Sequence, residues 1–337
     1  MKIIDLFSGI GGFSLGFQRA GYQFTEHYFS EIDKHAIANY KYNFPNAKHI
    51  GNIKTIQPAD LAGADIITFG SPCQDFSLAG KRAGLKGTKS SLIEYAIALI
   101  ACVRPSVFIW ENVKGAFSSN ARADFWAIIK ALTNIGGYTI EWQLLNTSWV
   151  LPQNRERLYL IGHLAGQSEQ GVFPITEDDC LPTTKTQSQS QTTISTTLKA
   201  NGNMNADDTY IIPKKAATLT AGGKSGGLHS DMTVIRQLPR GKNKGADLKI
   251  CPTISSNAFQ ENNLLCGIRR LTEIECERLQ GFPDNWTQYG NYNGRIRRIS
   301  KTNRYKLIGN AVTVDIVELI AKRLNFSAHL TDKVTKS

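Results

Sequence analysis

The strongest constraint on the fold of this chain is an alternation that runs through its first 165 residues and then stops. Strand-like runs at 2–7, 24–32, 66–69, 107–110, 139–145 and 157–162 are separated by polar or helix-patterned stretches. Residues 91–103 place Leu92, Ile93, Ala96, Ile97, Leu99, Ile100 and Val103 on one helical face. Residues 124–134 do the same with Phe125, Ile128, Ile129 and Leu132, and Gly136-Gly137 then offers a C-cap. Strands that alternate with helices make βαβ units and a mostly parallel sheet covered by helices on both faces. The expected class is α/β, with a first domain at 1–165.

Beyond that point the pattern fails. Residues 183–208 are polar and low in complexity, which predicts a flexible linker. From there to about residue 266 only short β-like pieces occur, and three stretches, one inside the linker at 197–202 and two beyond it at 218–223 and 253–257, resemble one another loosely. Residues 166–268 therefore read as a smaller, irregular, β-rich second domain. Helical signals return with Thr272 as an N-cap and Glu275 three positions on, a capping box. Residues 313–324 follow with Val314, Val317, Leu319, Ile320 and Leu324 on an amphipathic helix. The segment 269–326 is expected to return to the first domain, leaving 327–337 as a tail. A chain of 337 residues accommodates one large domain and a smaller one.

The formal charge is +11, and residues 236–306 hold 14 Lys/Arg against 6 Asp/Glu, with Trp286, Tyr289 and Tyr292 interleaved. That concentration predicts a surface for a polyanion. The cysteines at 73, 102, 180, 251, 266 and 276 form no CxxC pair or zinc spacing, so no metal is expected. No apolar run approaches the ~18–20 residues of a membrane span, and Lys2-Ile3-Ile4-Asp5 starts without a signal-peptide pattern. A reduced, cytoplasmic chain without membrane contact is expected.

Several strand ends carry residues suited to chemistry. The first strand runs into Phe7-Ser8-Gly9-Ile10-Gly11-Gly12, where glycines allow close backbone approach to a ligand and a helix start offers N–H groups. The spacing does not complete GxGxxG, and Glu31 at the end of the second strand strengthens the loop: a carboxylate there accepts from ribose hydroxyls. Cys73 lies just past the end of the run 66–69, where open α/β sheets place ligands. A cysteine is more often small apolar packing than a nucleophile. Glu111, after the run 107–110, is placed to be a general acid, and Arg155 and Arg157 are able to hold it and to bind a planar polar ring by paired donors.

In motif content and order the chain resembles the DNA (cytosine-5) methyltransferase family of bacterial or phage type. It shows DLFSGIGGF, Glu31, GSPCQDFSLAG, Glu111-Asn112-Val113, QNRERLYLIG, a variable region, RRLTEIECERLQGFP, and Gly309-Asn310-Ala311-Val312. The resemblance covers roughly 1–164 and 268–324, and the region between matches a target-recognition domain only by position. It implies a Rossmann-like S-adenosylmethionine-dependent methyltransferase domain, with that recognition domain inserted before the C-terminal helices. Cys73 would be the nucleophile on a flipped-out cytosine and Glu111 the proton or hydrogen-bond donor at its ring, with Arg157 and Arg155 binding the base. Phe7, Gly9, Ile10, Gly11 and Gly12 would form the first cofactor loop, with Glu31 on the ribose, Ile32 on the adenine, and Asn52 and Ile53 beside it. Pro72 would lie near the sulfonium, and Asn310 and Val312 would close the site. Residues 74–91 resemble the loop that closes over DNA, with Gln74, Ser77, Lys81, Arg82 and Lys89 on its DNA side.

Two places depart from the family pattern. Asn52 stands where many members have an acidic residue, which predicts weaker or rearranged cofactor binding, and Gly87-Thr88-Lys89 stands where an Asp-x-Arg pair is common, its lysine keeping charge without the forked geometry. The expected partner is double-stranded DNA, together with a cognate restriction endonuclease, and the expected state is a monomer. An RNA cytosine-5 methyltransferase and a silent DNA-binding relative are the competing readings.

Overall fold

In the computed structural model, residues 1–71, 91–118, 123–180, 235–237, 246–248, 251–252, 263–265 and 269–326 are described. The first part of the chain forms β1 (Lys2–Leu6), α1 (Gly12–Arg19), β2 (Glu26–Ser30), α2 (Lys34–Asn43), β3 (Lys48–His49) and β4 (Ile66–Gly70). It continues through α3 (Ser91–Val103), β5 (Val107–Val113), α4 (Lys114–Ser118), α5 (Ala123–Thr133), β6 (Tyr138–Asn146), β7 (Gln153–Asn154), β8 (Glu156–Leu164) and β9 (Ser168–Glu169). A seven-stranded sheet has the order β3-β2-β1-β4-β5-β8-β6. Its first five members run parallel, while β8 is antiparallel to both β5 and β6.

The period of two along each strand decides which layer each side chain joins. Ile4, Leu6, Ile67, Phe69, Phe108, Trp110, Leu158 and Leu160 pack with Ile93, Ala96, Leu99, Ile100 and Val103 of α3 and with Phe125, Ile128 and Leu132 of α5. The alternate positions, Ile3, Ile66, Val107, Ile109, Tyr159 and Ile161, face Phe13 and Phe17 of α1. Strands buried on both faces explain the near-continuous apolar runs in the sequence.

The second layer is completed from the far end of the chain. Here α6 (Glu273–Leu279) begins at the Thr272–Glu275 capping box, and α7 (Lys301–Asn310) and α8 (Val314–Lys322) follow. Ile316, Val317, Ile320 and Ala321 of α8 join the α1 side of the sheet. The two helices approach so closely that a Cβ on Gly16 would lie 2.5 Å from Val317 Cγ1. Short strands β10 (Ile235–Gln237), β11 (Ala246–Leu248), β12 (Cys251–Pro252), β13 (Asn263–Leu265) and β14 (Arg269–Arg270) precede this segment. Four of them form a sheet in the order β11-β10-β13-β14, and β12 pairs with β7. The hairpin β15 (Tyr289–Tyr292)–β16 (Arg295–Arg298) lies on α2, and β17 (Asn325–Phe326) pairs with β9.

Some boundaries differ from the sequence reading for physical reasons. The polar pair Glu111-Asn112 suggests that β5 stops at Trp110, yet its ladder with β8 continues through Glu111↔Tyr159 to Val113↔Arg157. Helices α2 and α7 carry little signal in the sequence, because both are polar and gain their place by packing rather than by a strong apolar stripe. The linker 183–208, the pieces at 197–202, 218–223 and 253–257 and the tail 327–337 lie outside the described residues.

Candidate active site

The strand order reverses between β1 and β4, and ligands of open α/β sheets bind outside the strand ends at such a point. The first wall is the loop after β1. Phe7, Gly9 and Gly11 all take left-handed backbone angles, at φ 52°, 53° and 85°, and for Phe7 this costs about 1 kcal/mol. Beside Gly9 the space a side chain would fill is open, whereas a Cβ on Gly12 would lie 2.6 Å from Val312 Cγ2. Ile10 is fully buried beneath the loop.

The second wall is built on Glu31. Its Oε2 accepts from the Gly9 amide at 2.9 Å, and its Oε1 accepts from the amides of Ile32 at 2.7 Å and Asp33 at 2.9 Å. The carboxylate is thereby held rigidly between two loops. Ile32 beside it is 72% exposed, a largely uncovered apolar side chain. On the adjoining loop Asn52 Oδ1 accepts from the Lys54 amide at 3.0 Å, so its carbonyl oxygen caps a short helical turn, and Ile53 is buried. Asn310 is exposed at the end of α7, and Val312 is buried against the glycine loop. An open glycine turn, a fixed carboxylate and a bare isoleucine suit an adenosyl amino acid: polar acceptor for ribose, apolar face for a purine, amide-rich turn for the remainder.

The third element is the pair of strand ends β4 and β5. Gly70 pairs with Glu111 across the ladder, and a Cβ at position 70 would lie 3.3 Å from Glu111 Oε2, so the glycine leaves room for the carboxylate. Ser71 is buried, and its Oγ accepts from Trp110 Nε1 at 3.0 Å and Asn112 Nδ2 at 3.1 Å. This pins the chain two residues before Cys73. Arg157 Nε lies 3.2 Å from Glu111 Oε1, with both side chains largely out of water. Arg155 turns elsewhere: its Nη2 donates to the Ala311 carbonyl at 2.8 Å and its Nη1 to the Gly309 carbonyl at 3.5 Å. Pro72, Cys73, Gln74, Ser77, Lys81, Arg82 and Lys89 lie outside the described residues.

Beneath the loop is a polar cluster that the sequence reading missed. Thr68 Oγ1 donates to Asp5 Oδ1 at 3.0 Å, and Ser14 Oγ and Tyr40 OH each lie 3.1 Å from Oδ2. His27 Nε2 lies 3.0 Å from Ser14 Oγ and 2.8 Å from Tyr40 OH. Burial pushes the Asp5 carboxyl up to about 7, against the pull of these hydrogen bonds, and burial pushes His27 down to about 4. A charged residue inside an apolar strand, as in Ile3-Ile4-Asp5-Leu6, was the available signal. Among the described residues no group of His, Cys, Asp and Glu is arranged to hold a metal ion, and no helix is long and apolar enough to cross a membrane.

Comparison with known proteins gives the same direction. The family model for C-5 cytosine-specific DNA methylases matches residues 1–325. The type II methyltransferase M.Bsp6I of Bacillus sp. (strain RFL6) is 30% identical over 339 residues, covering 96% of this chain and 98% of that protein. The type II methyltransferase M.NgoBI of Neisseria gonorrhoeae is 31% identical over 330 residues, covering 95% and 92%. The crystal structure of the S. pombe Dnmt2 methyltransferase superposes with a TM-score of 0.60 at 18% identity, covering 96% of this chain and 97% of that one, which shows a shared fold.

Proposed function

Because this chain belongs to the C-5 cytosine-specific DNA methylase family and is a DNA (cytosine-5) methyltransferase, we propose that it uses S-adenosylmethionine to methylate a flipped-out cytosine in a short duplex target through a covalent Cys73 adduct. The observation that carries the reading is the Glu111–Arg157 pair, held over Gly70 at the strand end from which Ser71 leads to Cys73. When bound, S-adenosylmethionine supplies a methyl group made electrophilic by its sulfonium. Glu31 would hold its ribose and Ile32 its adenine, with the 7–12 loop, Asn52, Ile53, Pro72, Asn310 and Val312 around them.

Carbon 5 of cytosine is a poor nucleophile, and covalent catalysis addresses that. The Cys73 thiolate adds to carbon 6, forming a carbon–sulfur bond while Glu111 gives a proton or hydrogen bond to ring N3. Arg157 orients the Glu111 carboxyl and presents donors to the base. Electron density released at carbon 5 would take the methyl carbon as that carbon's bond to the donor sulfur breaks, the electron pair staying on sulfur in S-adenosylhomocysteine. Loss of the carbon 5 proton to a base then expels the Cys73 thiolate and restores the ring. The cytosine must leave the stack first, at a cost of a few kcal/mol. Residues 74–91 are assigned to closing over the DNA, with Gln74, Ser77, Lys81, Arg82 and Lys89 toward its backbone.

The test is incubation of the protein with duplex DNA, tRNA and labelled S-adenosylmethionine, followed by nucleoside analysis. Label in 5-methyldeoxycytidine supports the proposal. Label in methyladenine, or in tRNA alone, overturns it.

A further inference from the structure

We propose that Arg155 is a positioning residue that caps the C-terminal end of α7 and thereby fixes the segment carrying Asn310 and Val312 against the methyl-donor loop. The proposal rests on the cofactor assignment made above. The last carbonyls of a helix lack intrahelical partners and lie at the negative end of its dipole, where a cation is favoured. Helix α7 carries no basic residue in its own last turn. The cation comes from 154 residues earlier in the chain: Arg155 is 3% exposed and donates to the carbonyls of Gly309 and Ala311, on either side of Asn310.

Both flanking carbonyls are engaged in an arrangement that leaves the Asn310 side chain exposed. Val312 then meets Gly12, whose Cβ position lies 2.6 Å from Val312 Cγ2 and 3.1 Å from the Val312 carbonyl. A second tie supports the same turn. Thr147 Oγ1 lies 2.8 Å from Thr313 Oγ1, which also reaches Gln280 Oε1 at 3.2 Å. The Arg155 carbonyl, in turn, accepts from the Thr147 amide at 2.9 Å. Arg155 and Arg157 stand two positions apart at the start of β8, so one strand end serves both halves of the site: Arg157 at Glu111 and Arg155 at the cofactor segment.

The test compares S-adenosylhomocysteine binding by calorimetry with single-turnover methylation at saturating donor, on the full chain. Arg155→Ala should weaken S-adenosylhomocysteine about tenfold, the scale of losing charge-assisted hydrogen bonds, with a much smaller loss of single-turnover rate. Asn310→Ala should also weaken it, and the double variant should bind no worse than the weaker single one, because both act through one turn. Arg155→Lys, which keeps the charge without the fork, should fold and show intermediate affinity. Wild-type affinity in a folded Arg155→Ala or Arg155→Lys variant, or full additivity with Asn310→Ala, overturns the proposal. So does a collapse of the single-turnover rate with affinity unchanged, which would put Arg155 on the base. Failure of the wild-type chain to bind S-adenosylhomocysteine would instead strike at the cofactor assignment, and the inference would fall with it.

Discussion

At the scale of single residues, the site separates groups that do chemistry from groups that hold them. Cys73→Ser should abolish methyl transfer while S-adenosylhomocysteine binding, measured by calorimetry, stays near wild type; retained turnover would remove Cys73 as the nucleophile. The Glu111–Arg157 pair makes a sharper prediction. Its side chains are only 12% and 15% exposed, so Arg157→Ala leaves a desolvated carboxylate unpaired at a cost of about 3 kcal/mol. Adding Glu111→Gln removes the orphaned charge and should recover much of the thermal stability, whereas turnover should remain at the floor. Recovery of both would mean the pair is structural alone. Arg155 shows the limit of reading such residues from sequence. Its spacing from Arg157 suggests a shared role, and only the path of the chain reveals that its guanidinium serves α7.

At the scale of elements, close approaches replace side-chain chemistry as the controlling feature. Gly12 starts α1 against Val312, and Gly12→Ala forces that contact apart. A loss of about 1–3 kcal/mol in unfolding free energy is expected, together with weakened S-adenosylhomocysteine binding. A variant with unchanged stability and affinity would show that Val312 yields freely. Much of the element plan was legible beforehand. The boundaries of α3 follow from its apolar spacing, and the α6 start follows from Thr272 and Glu275, because both signals are local. What was not legible depended on partners far along the chain. The sequence cannot display that β8 runs antiparallel to β5, that Gly70 makes room for Glu111, or that a polar stretch becomes a hairpin against α2.

At the scale of the whole molecule, pH and salt test the reading. An acid whose folded pKa is raised binds more protons in the native state, so its stabilisation is full below its unfolded value and is lost as pH rises through the folded one. For Asp5 that window runs from 3.8 to about 7. His27 works in the opposite sense, its contribution being lost as pH falls from 6.5 through about 4. The groups facing Asp5 are Thr68 of β4, Ser14 of α1 and Tyr40 of α2, with His27 of β2 behind them and Glu31 nearby. The unfolding temperature of Asp5→Asn relative to wild type should therefore climb between about pH 4 and about pH 7 and level off above; a flat difference would mean Asp5 is ionised throughout. DNA affinity should fall steeply with salt as phosphate contacts release counterions, and a flat response would remove the basic surplus at 236–306 as the DNA surface. The return of α8 to the sheet has a consequence during synthesis. After Leu164 has been made, Phe13 and Phe17 cover only part of Ile3, Ile66, Val107 and Ile109, and the layer is complete only with residues such as Val317 and Leu324. At about 5–20 residues per second, the ribosome spends roughly ten to thirty seconds with that apolar face half bare. For nearly half of its own translation the chain thus presents an apolar surface of the kind chaperones bind.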